Sequence, residues 1–251
     1  MEHAAKLARA GDRIVSFAAG ILILLLLLFG GYSLWDTYMT FTAAFASDDL
    51  LAYKPAEDGT TDENPTLGQL QEINPDVCAW LTIDDTHIDY PVVQGETDME
   101  YVNKDVYGDF ALSGAIFLSS ANGADFSDSY SIIYGHHMDN GAMFGDVVDF
   151  TGEEYFAAHQ TGSLLLPEAT YRIELFAVVE VDAYDMAVYN TSLYNTEETG
   201  DVSALLDYIS GIAVQYREIG VTGEDQVVGF STCQDAVTNG RVVLFGRLVR
   251  E

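Results

Sequence analysis

The chain opens on an unbroken apolar run. Residues 14–35 carry no charged side chain, and Ile21-Leu22-Ile23-Leu24-Leu25-Leu26-Leu27-Leu28-Phe29 forms its centre. At 1.5 Å per residue of helix, about 20 such residues cross the hydrocarbon core of a bilayer. Lys6, Arg9 and Arg13 precede the run, and Asp36, Asp48 and Asp49 follow it. Basic residues mark the cytoplasmic flank of a membrane span. The pattern predicts a cytoplasmic tail over 1–13, one transmembrane anchor over 14–35 and an extracellular remainder, with Tyr32, Trp35 and Tyr38 at the outer interface. The alternative is a cleaved signal peptide ending near Ala44-Phe45-Ala46. That site lies far beyond the apolar core, and the core is longer than a signal peptide needs, so a retained anchor is the expectation.

After the run the period changes. Residues 36–65 are acidic and rich in turn signals, among them Glu57-Asp58-Gly59 and Asp62-Glu63-Asn64-Pro65, and predict an extracellular stalk. A short helix is expected over Thr66–Ile73, stopping at Asn74-Pro75. Strand-like segments then follow at 77–83, 87–93, 114–118, 129–134, 162–166, 171–183, 226–232 and 241–249, separated by turns such as Asp84-Asp85, Asn122-Gly123 and Asn239-Gly240. Tyr171-Arg172-Ile173-Glu174-Leu175 alternates as a half-buried strand does. Two helices are expected as insertions, over 142–159 and 202–217. In the second, Val202, Leu205, Leu206, Ile209, Ile212, Ala213 and Tyr216 fall on one face. The reading is a mainly β domain over 66–251: an eight-stranded, closed or nearly closed barrel with an N-terminal helix and an inserted helix before its seventh strand.

Charge narrows the partners. The chain has 40 Asp and Glu against 10 Lys and Arg, a net charge of −30. Beyond residue 35 only seven cations remain, among them Arg172 and Arg241, each inside an apolar strand. Nucleic acid is excluded as a partner, because binding phosphate backbones takes clustered cations. An acidic surface keeps an extracellular domain soluble and steers cationic ligands toward it.

The candidate chemistry is a thiol. Val227-Val228-Gly229-Phe230-Ser231-Thr232-Cys233 is an apolar strand ending in Cys233, Arg241 opens the next strand, and an earlier strand ends in Tyr134-Gly135-His136-His137-Met138. A thiol with an ordinary pKa near 8.5 needs a base or cation beside it to attack a carbonyl. His136 or His137 supplies that, and Arg241 supplies a permanent cation for an oxyanion. The Thr232 hydroxyl is placed to orient a substrate. The second cysteine, Cys78, lies between Val77 and Ala79 in an apolar strand and reads as a buried free thiol rather than a disulfide partner. His136, His137, His159 and Cys233 lack the short paired spacing of a structural metal site, and no Asp-x-Asp-x-Asp-Gly loop is present. Neither metal nor organic cofactor is expected.

These motifs together resemble the sortases. The Ser231-Thr232-Cys233 strand end, Arg241-Val242-Val243 and the run Tyr134-Gly135-His136-His137-Met138-Asp139-Asn140-Gly141-Ala142-Met143-Phe144 carry the resemblance. The long His motif, the opening hairpin Trp80 to Gln94 and the helix before the Cys strand are similar to class B in particular. The likeness covers about residues 66–249. It implies a sortase-type barrel and a membrane-anchored cysteine transpeptidase of Gram-positive cell walls. It also implies Cys233 as nucleophile, His136 as general acid and base, Arg241 as oxyanion or substrate-positioning residue, and Ser231 and Thr232 as substrate-binding residues. Asp235 is a weaker candidate for orienting the imidazole. The threonine that many sortases carry three residues before Thr-Cys is absent here, which leaves the substrate preference open.

What the resemblance implies for the reaction is cleavage of a C-terminal sorting signal after Thr. Transfer of the protein to an amine then follows, on peptidoglycan precursor or a pilin, with surface proteins as substrates and no cofactor. Asn-Pro-x-Thr and Leu-Pro-x-Thr signals both stay open. Two rivals remain at this level: a cysteine endopeptidase with water as acceptor, and a non-catalytic barrel that binds a surface partner.

Overall fold

The computed structural model describes residues 2–55, 64–196, 200–233 and 239–251. The chain divides into two compact units, Met1–Thr42 and Ala43–Glu251. The first is a single helix, α1 (Glu2–Ala43), whose segment Arg9–Thr40 is long and apolar enough to cross a membrane, with a mean hydropathy of 2.6.

The second unit begins with the helices α2 (Asp48–Leu51) and α3 (Pro65–Ile73). The strands β1 (Val77–Ile83), β2 (Asp89–Val93), β3 (Ile116–Leu118) and β4 (Tyr130–Tyr134) follow. Next come helix α4 (Glu153–Ala158) and strands β5 (Thr161–Leu166) and β6 (Ala169–Asp182). Helices α5 (Met186–Tyr189) and α6 (Ser203–Ile212) precede strands β7 (Gln215–Tyr216), β8 (Gln226–Cys233) and β9 (Gly240–Arg250). The strands lie in the order β5-β1-β2-β3-β4-β8-β9-β6, and β5–β6 pairing closes the ring. This is the eight-stranded barrel that the alternation predicts. The ninth strand, β7, is an addition to β6. That strand is long enough to pair with β5 over Ala169–Glu174 and with β7 at Ala177 and Val178, while β9 runs along its other side. The pairs β2–β3 and β4–β8 are parallel, and the others are antiparallel.

Successive strand residues face opposite sides, and the core divides accordingly. Val228 and Phe230 of β8 point into the barrel with Ile133, Phe144, Ile173 and Leu244. Val227 points outward with Ile132, Phe176 and Phe245, and this outer layer is covered by Leu205 and Ile209 of α6. A third cluster joins Leu67 and Leu70 of α3 to Trp80, Val93 and Phe117.

Three segments differ from expectation. Residues 44–55, read as part of a stalk, pack on the barrel: Ala44 and Leu50 are buried, and Lys54 Nζ lies 3.0 Å from Asp89. The single helix expected over 142–159 is two pieces. Phe144, Val147 and Phe150 are spaced by three and fully buried, which suits a 3-10 helix of three residues per turn, and Gly145–Thr151 takes that form. Gly152 then takes extended backbone at the start of α4. The helix expected over 202–217 stops at Ile212 because the chain joins β6 instead: Val214 N–H donates to Val178 O and Arg217 N–H to Phe176 O. Arg217 fastens this return. Its guanidinium donates to Leu175 O and Phe156 O and lies 4.5 Å above the Phe156 ring.

Closure at the β5–β1 seam leaves no room at Gly162. A Cβ there would strike the Thr82 carbonyl oxygen and lie 2.9 Å from Ile83 Cδ1. Gly162→Ala is expected to cost about 2 kcal/mol, in the range of overpacked core sites. The check is urea unfolding, with a lowered midpoint at unchanged slope.

Candidate active site

Strand register builds the site. In the parallel β4–β8 pair, Tyr134 lies opposite Ser231, and Gly135 N–H continues the ladder to Ser231 O at 3.1 Å. Two residues further on, His136 leaves β4 at the level where Cys233 ends β8. In the antiparallel β8–β9 pair, Cys233 lies directly opposite Arg241. Neighbouring strands are about 4.8 Å apart. Positions 136, 233 and 241 therefore form one row across three adjacent strands, with the cysteine in the middle. His136 and Arg241 continue the outward parity set by Tyr134 and Val243 along their own strands.

His136 is half-buried, and its Nε2 lies 2.8 Å from Val102 O, in the connection between β2 and β3. A carbonyl only accepts, so Nε2 carries a proton and Nδ1 is the ring atom left to exchange one. The connection is shaped for this contact. Gly114 takes φ +61°, and a Cβ on it would stand 2.5 Å from Val102 O and 3.1 Å from His136 Cδ2. His137 is engaged elsewhere: it bridges to Met143, its Nε2 lies 3.3 Å from Asp139, and its buried Nδ1 has no partner among the described residues.

The rest of the His motif is a plug. Phe144 N–H returns to His136 O at 3.0 Å, and the Phe144 ring meets Phe230 edge-on inside the barrel at 6.2 Å. Met143 N–H donates to Tyr90 Oη at 3.0 Å. Burial, reinforced by Asp146 and Asp89 nearby, pushes the Tyr90 hydroxyl up to about 12. Asp146 anchors the far side of the loop by accepting His87 N–H at 2.7 Å.

The two residues before the cysteine separate. Ser231 lies on the outward face of β8 but is itself buried, and its hydroxyl is paired with Tyr189 Oη at 2.9 Å. The Tyr189 ring stacks on Tyr134 at 6.4 Å. Thr232 falls on the barrel-interior parity, is buried, and its Oγ1 has no partner among the described residues. Its position thus differs from that expected of a hydroxyl facing substrate. Arg241 is half-buried and donates Nη1–H to Gly240 O at 3.0 Å. Asp235 lies outside the described residues. Cys78 is a free buried thiol in the barrel core, and burial pushes it up to about 12.

Sequence reasoning missed Tyr189 and the Val102 carbonyl. Tyr189 sits on α5, a one-turn helix too short to announce itself by periodicity. A carbonyl carries no residue signature, although the Gly at 114 was a trace of it.

Comparison with known proteins identifies the family. The Sortase domain family matches residues 81–249. Sortase B of Listeria monocytogenes is 32% identical over 94% of this chain and 99% of its own length. A class B sortase of Streptococcus pyogenes involved in pilus biogenesis is 39% identical, with a TM-score of 0.65 over 72% of this chain and 97% of that one. Sortase B from the Type II pilus of Streptococcus pneumoniae is 36% identical, with a TM-score of 0.61 over 73% and 98%. The chain belongs to the sortase family as a class B-like member, a cysteine transpeptidase.

Proposed function

We propose that this transpeptidase cleaves a C-terminal sorting signal after Thr, through Cys233, His136 and Arg241. The register that sets positions 136, 233 and 241 in one row across β4, β8 and β9 carries this reading. The Cys233 thiol gives its proton to His136 Nδ1, the thiolate attacks the Thr carbonyl carbon, and Arg241 donates to the oxyanion as it forms. The C–N bond to the next residue breaks, and the departing amine takes a proton from His136 Nδ1. A thioester to Cys233 remains. An acceptor amine then attacks that carbonyl, gives a proton to His136 and releases the Cys233 thiolate. The proton that Val102 O holds on Nε2 keeps the ring in the orientation that presents Nδ1 at both steps. Ser231, tied to Tyr189, and the stacked Tyr134 form the wall that positions the signal. Thr232 supports β8 from inside the barrel.

In this reading α1 is a transmembrane anchor with Lys6, Arg9 and Arg13 on the cytoplasmic side and the barrel outside. Substrates are surface proteins that bear the signal. Two of the relatives named above belong to pilus systems and, at 39% and 36% identity, exceed the 32% of the Listeria protein. That favours a pilin amine over peptidoglycan precursor as acceptor.

The test uses full-length protein in detergent with Asn-Pro-x-Thr and Leu-Pro-x-Thr-Gly peptides, hydroxylamine as acceptor and intact mass as readout. Wild type is expected to show a thioacyl adduct and a hydroxamate, and Cys233→Ala neither. Arg241→Gln is expected to lower kcat by about 10²–10³-fold, the effect of removing one oxyanion donor. An adduct that survives in Cys233→Ala would refute the assignment.

Two further outcomes follow from the geometry. Iodoacetamide is expected to label Cys233 alone in the native protein, because the Cys78 thiol is buried and pushed up to about 12; the second label appears only on unfolding. In ¹⁵N NMR, neutral His136 is expected as the Nε2–H tautomer, and Gly114→Ala mixes in the other tautomer and lowers kcat more than it changes KM. An Nδ1–H tautomer in wild type contradicts the proton assignment.

A further inference from the structure

Arg172 stood out in the sequence as a cation inside an apolar strand, and nothing in the reaction uses it. It lines a pocket of about 260 Å³ with Gln160, Thr161, Glu174, Arg217 and Arg247. Positions 172 and 174 share one face of β6, and Arg247 of β9 lies opposite Glu174. Three of the chain's ten Lys and Arg therefore meet in one small pocket of a protein with net charge −30.

Pairing does not account for them. Glu174 is the single carboxylate in the lining. It accepts from Arg247 Nε at 3.0 Å and also from Nη2, and Arg172 Nη1 lies 2.6 Å from its other oxygen. Both guanidinium groups hold its carboxyl below the usual range. Asp225 stands at the rim, 3.8 Å from Arg247 Nη1. Arg217 donates to two backbone carbonyls and pairs with no carboxylate among the described residues. Its charge is partly desolvated, which lowers its pKa. Arg172 is exposed, and its Nε and Nη2 donate to nothing among the described residues. Arg247 Nη1 also reaches Gly220 O, so the lining holds three cations and one anion, with free donors on the exposed Arg172.

The free Nε and Nη2 of Arg172 stand beside two further guanidinium groups and a net positive lining, and guanidinium groups bind phosphate through charge-assisted pairs of hydrogen bonds. We propose that this pocket, on the outer face of β5, β6 and β9, is a binding site for a phosphate group, with Arg172 as its principal ligand. Free phosphates and the phosphodiester of an anionic lipid headgroup share this chemistry.

The test is calorimetric titration of full-length protein in a neutral detergent with inorganic pyrophosphate. Saturable binding with Kd near or below about 1 mM is expected. Arg172→Gln should weaken it at least tenfold. Glu174→Gln, which removes the competing carboxylate, should tighten it several-fold. Arg250→Gln, outside the pocket, should leave it unchanged. A short-chain phosphatidylglycerol in place of pyrophosphate separates the sources: binding with the same Arg172 dependence assigns a lipid headgroup, and its absence beside pyrophosphate binding assigns a free phosphate. No saturable binding of either probe, or equal binding by wild type and Arg172→Gln, overturns the proposal.

Discussion

The structure depends on one parallel contact, the pairing of β4 with β8 that sets Tyr134 opposite Ser231. Parallel strands bring the same ends of their chains together. The His-bearing and Cys-bearing ends therefore meet, though about a hundred residues separate them. A slip of one residue would turn each side chain to the other face of the sheet. It would drive Phe230 out of the barrel and Val227 into it. The buried alternation of β8 is thus what holds the row of positions 136 and 233 in line, and the antiparallel β8–β9 ladder extends the row to Arg241.

Around that row the chain spends little polar chemistry. A single carbonyl, Val102 O, sets the protonation of His136, and a glycine at positive φ lets the carbonyl reach it. The loop after His136 is held by apolar anchors: Ala142, Met143 and Phe144 are buried. The two residues before Cys233 divide by parity. Ser231 faces Tyr189, while Thr232 faces the core. Cations are scarce beyond residue 35. Arg241 stands in the row with positions 136 and 233, and Arg172, Arg217 and Arg247 gather at a separate pocket on the outer face.

The strands were legible because half-buried β-strands write their period into the sequence. Tyr171 to Leu175 alternates and is paired on both sides. The candidate trio was legible because each member ends or begins such a strand. What failed were places where a local pattern fitted two structures. Residues 142–159 carry enough apolar side chains for one helix, but the three-residue spacing of Phe144, Val147 and Phe150 and the break at Gly152 divide it. Residues 213–217 continue the apolar face of α6, yet the edge of β6 that β5 leaves open past Glu174 offers hydrogen bonds that capture them. Residues 44–55 precede the acidic, turn-rich run and were read with it, but they are largely apolar, and the buried Ala44 and Leu50 with the Lys54–Asp89 pair pack them on the barrel. The Tyr189–Ser231 bond joins distant segments that no local pattern connects.

The central claim, that β8 presents Cys233 level with its neighbours on both sides, is tested most directly by crosslinking. Residues directly opposite on antiparallel strands have Cα atoms about 4.5–5.5 Å apart, within the span of a disulfide. In Arg241→Cys, mild oxidation followed by mapping of the crosslinked peptide is predicted to find a bond between positions 233 and 241 in nearly every folded molecule. A folded variant that keeps both thiols free, or that bridges through Cys78 instead, would contradict the register on which the active site is built.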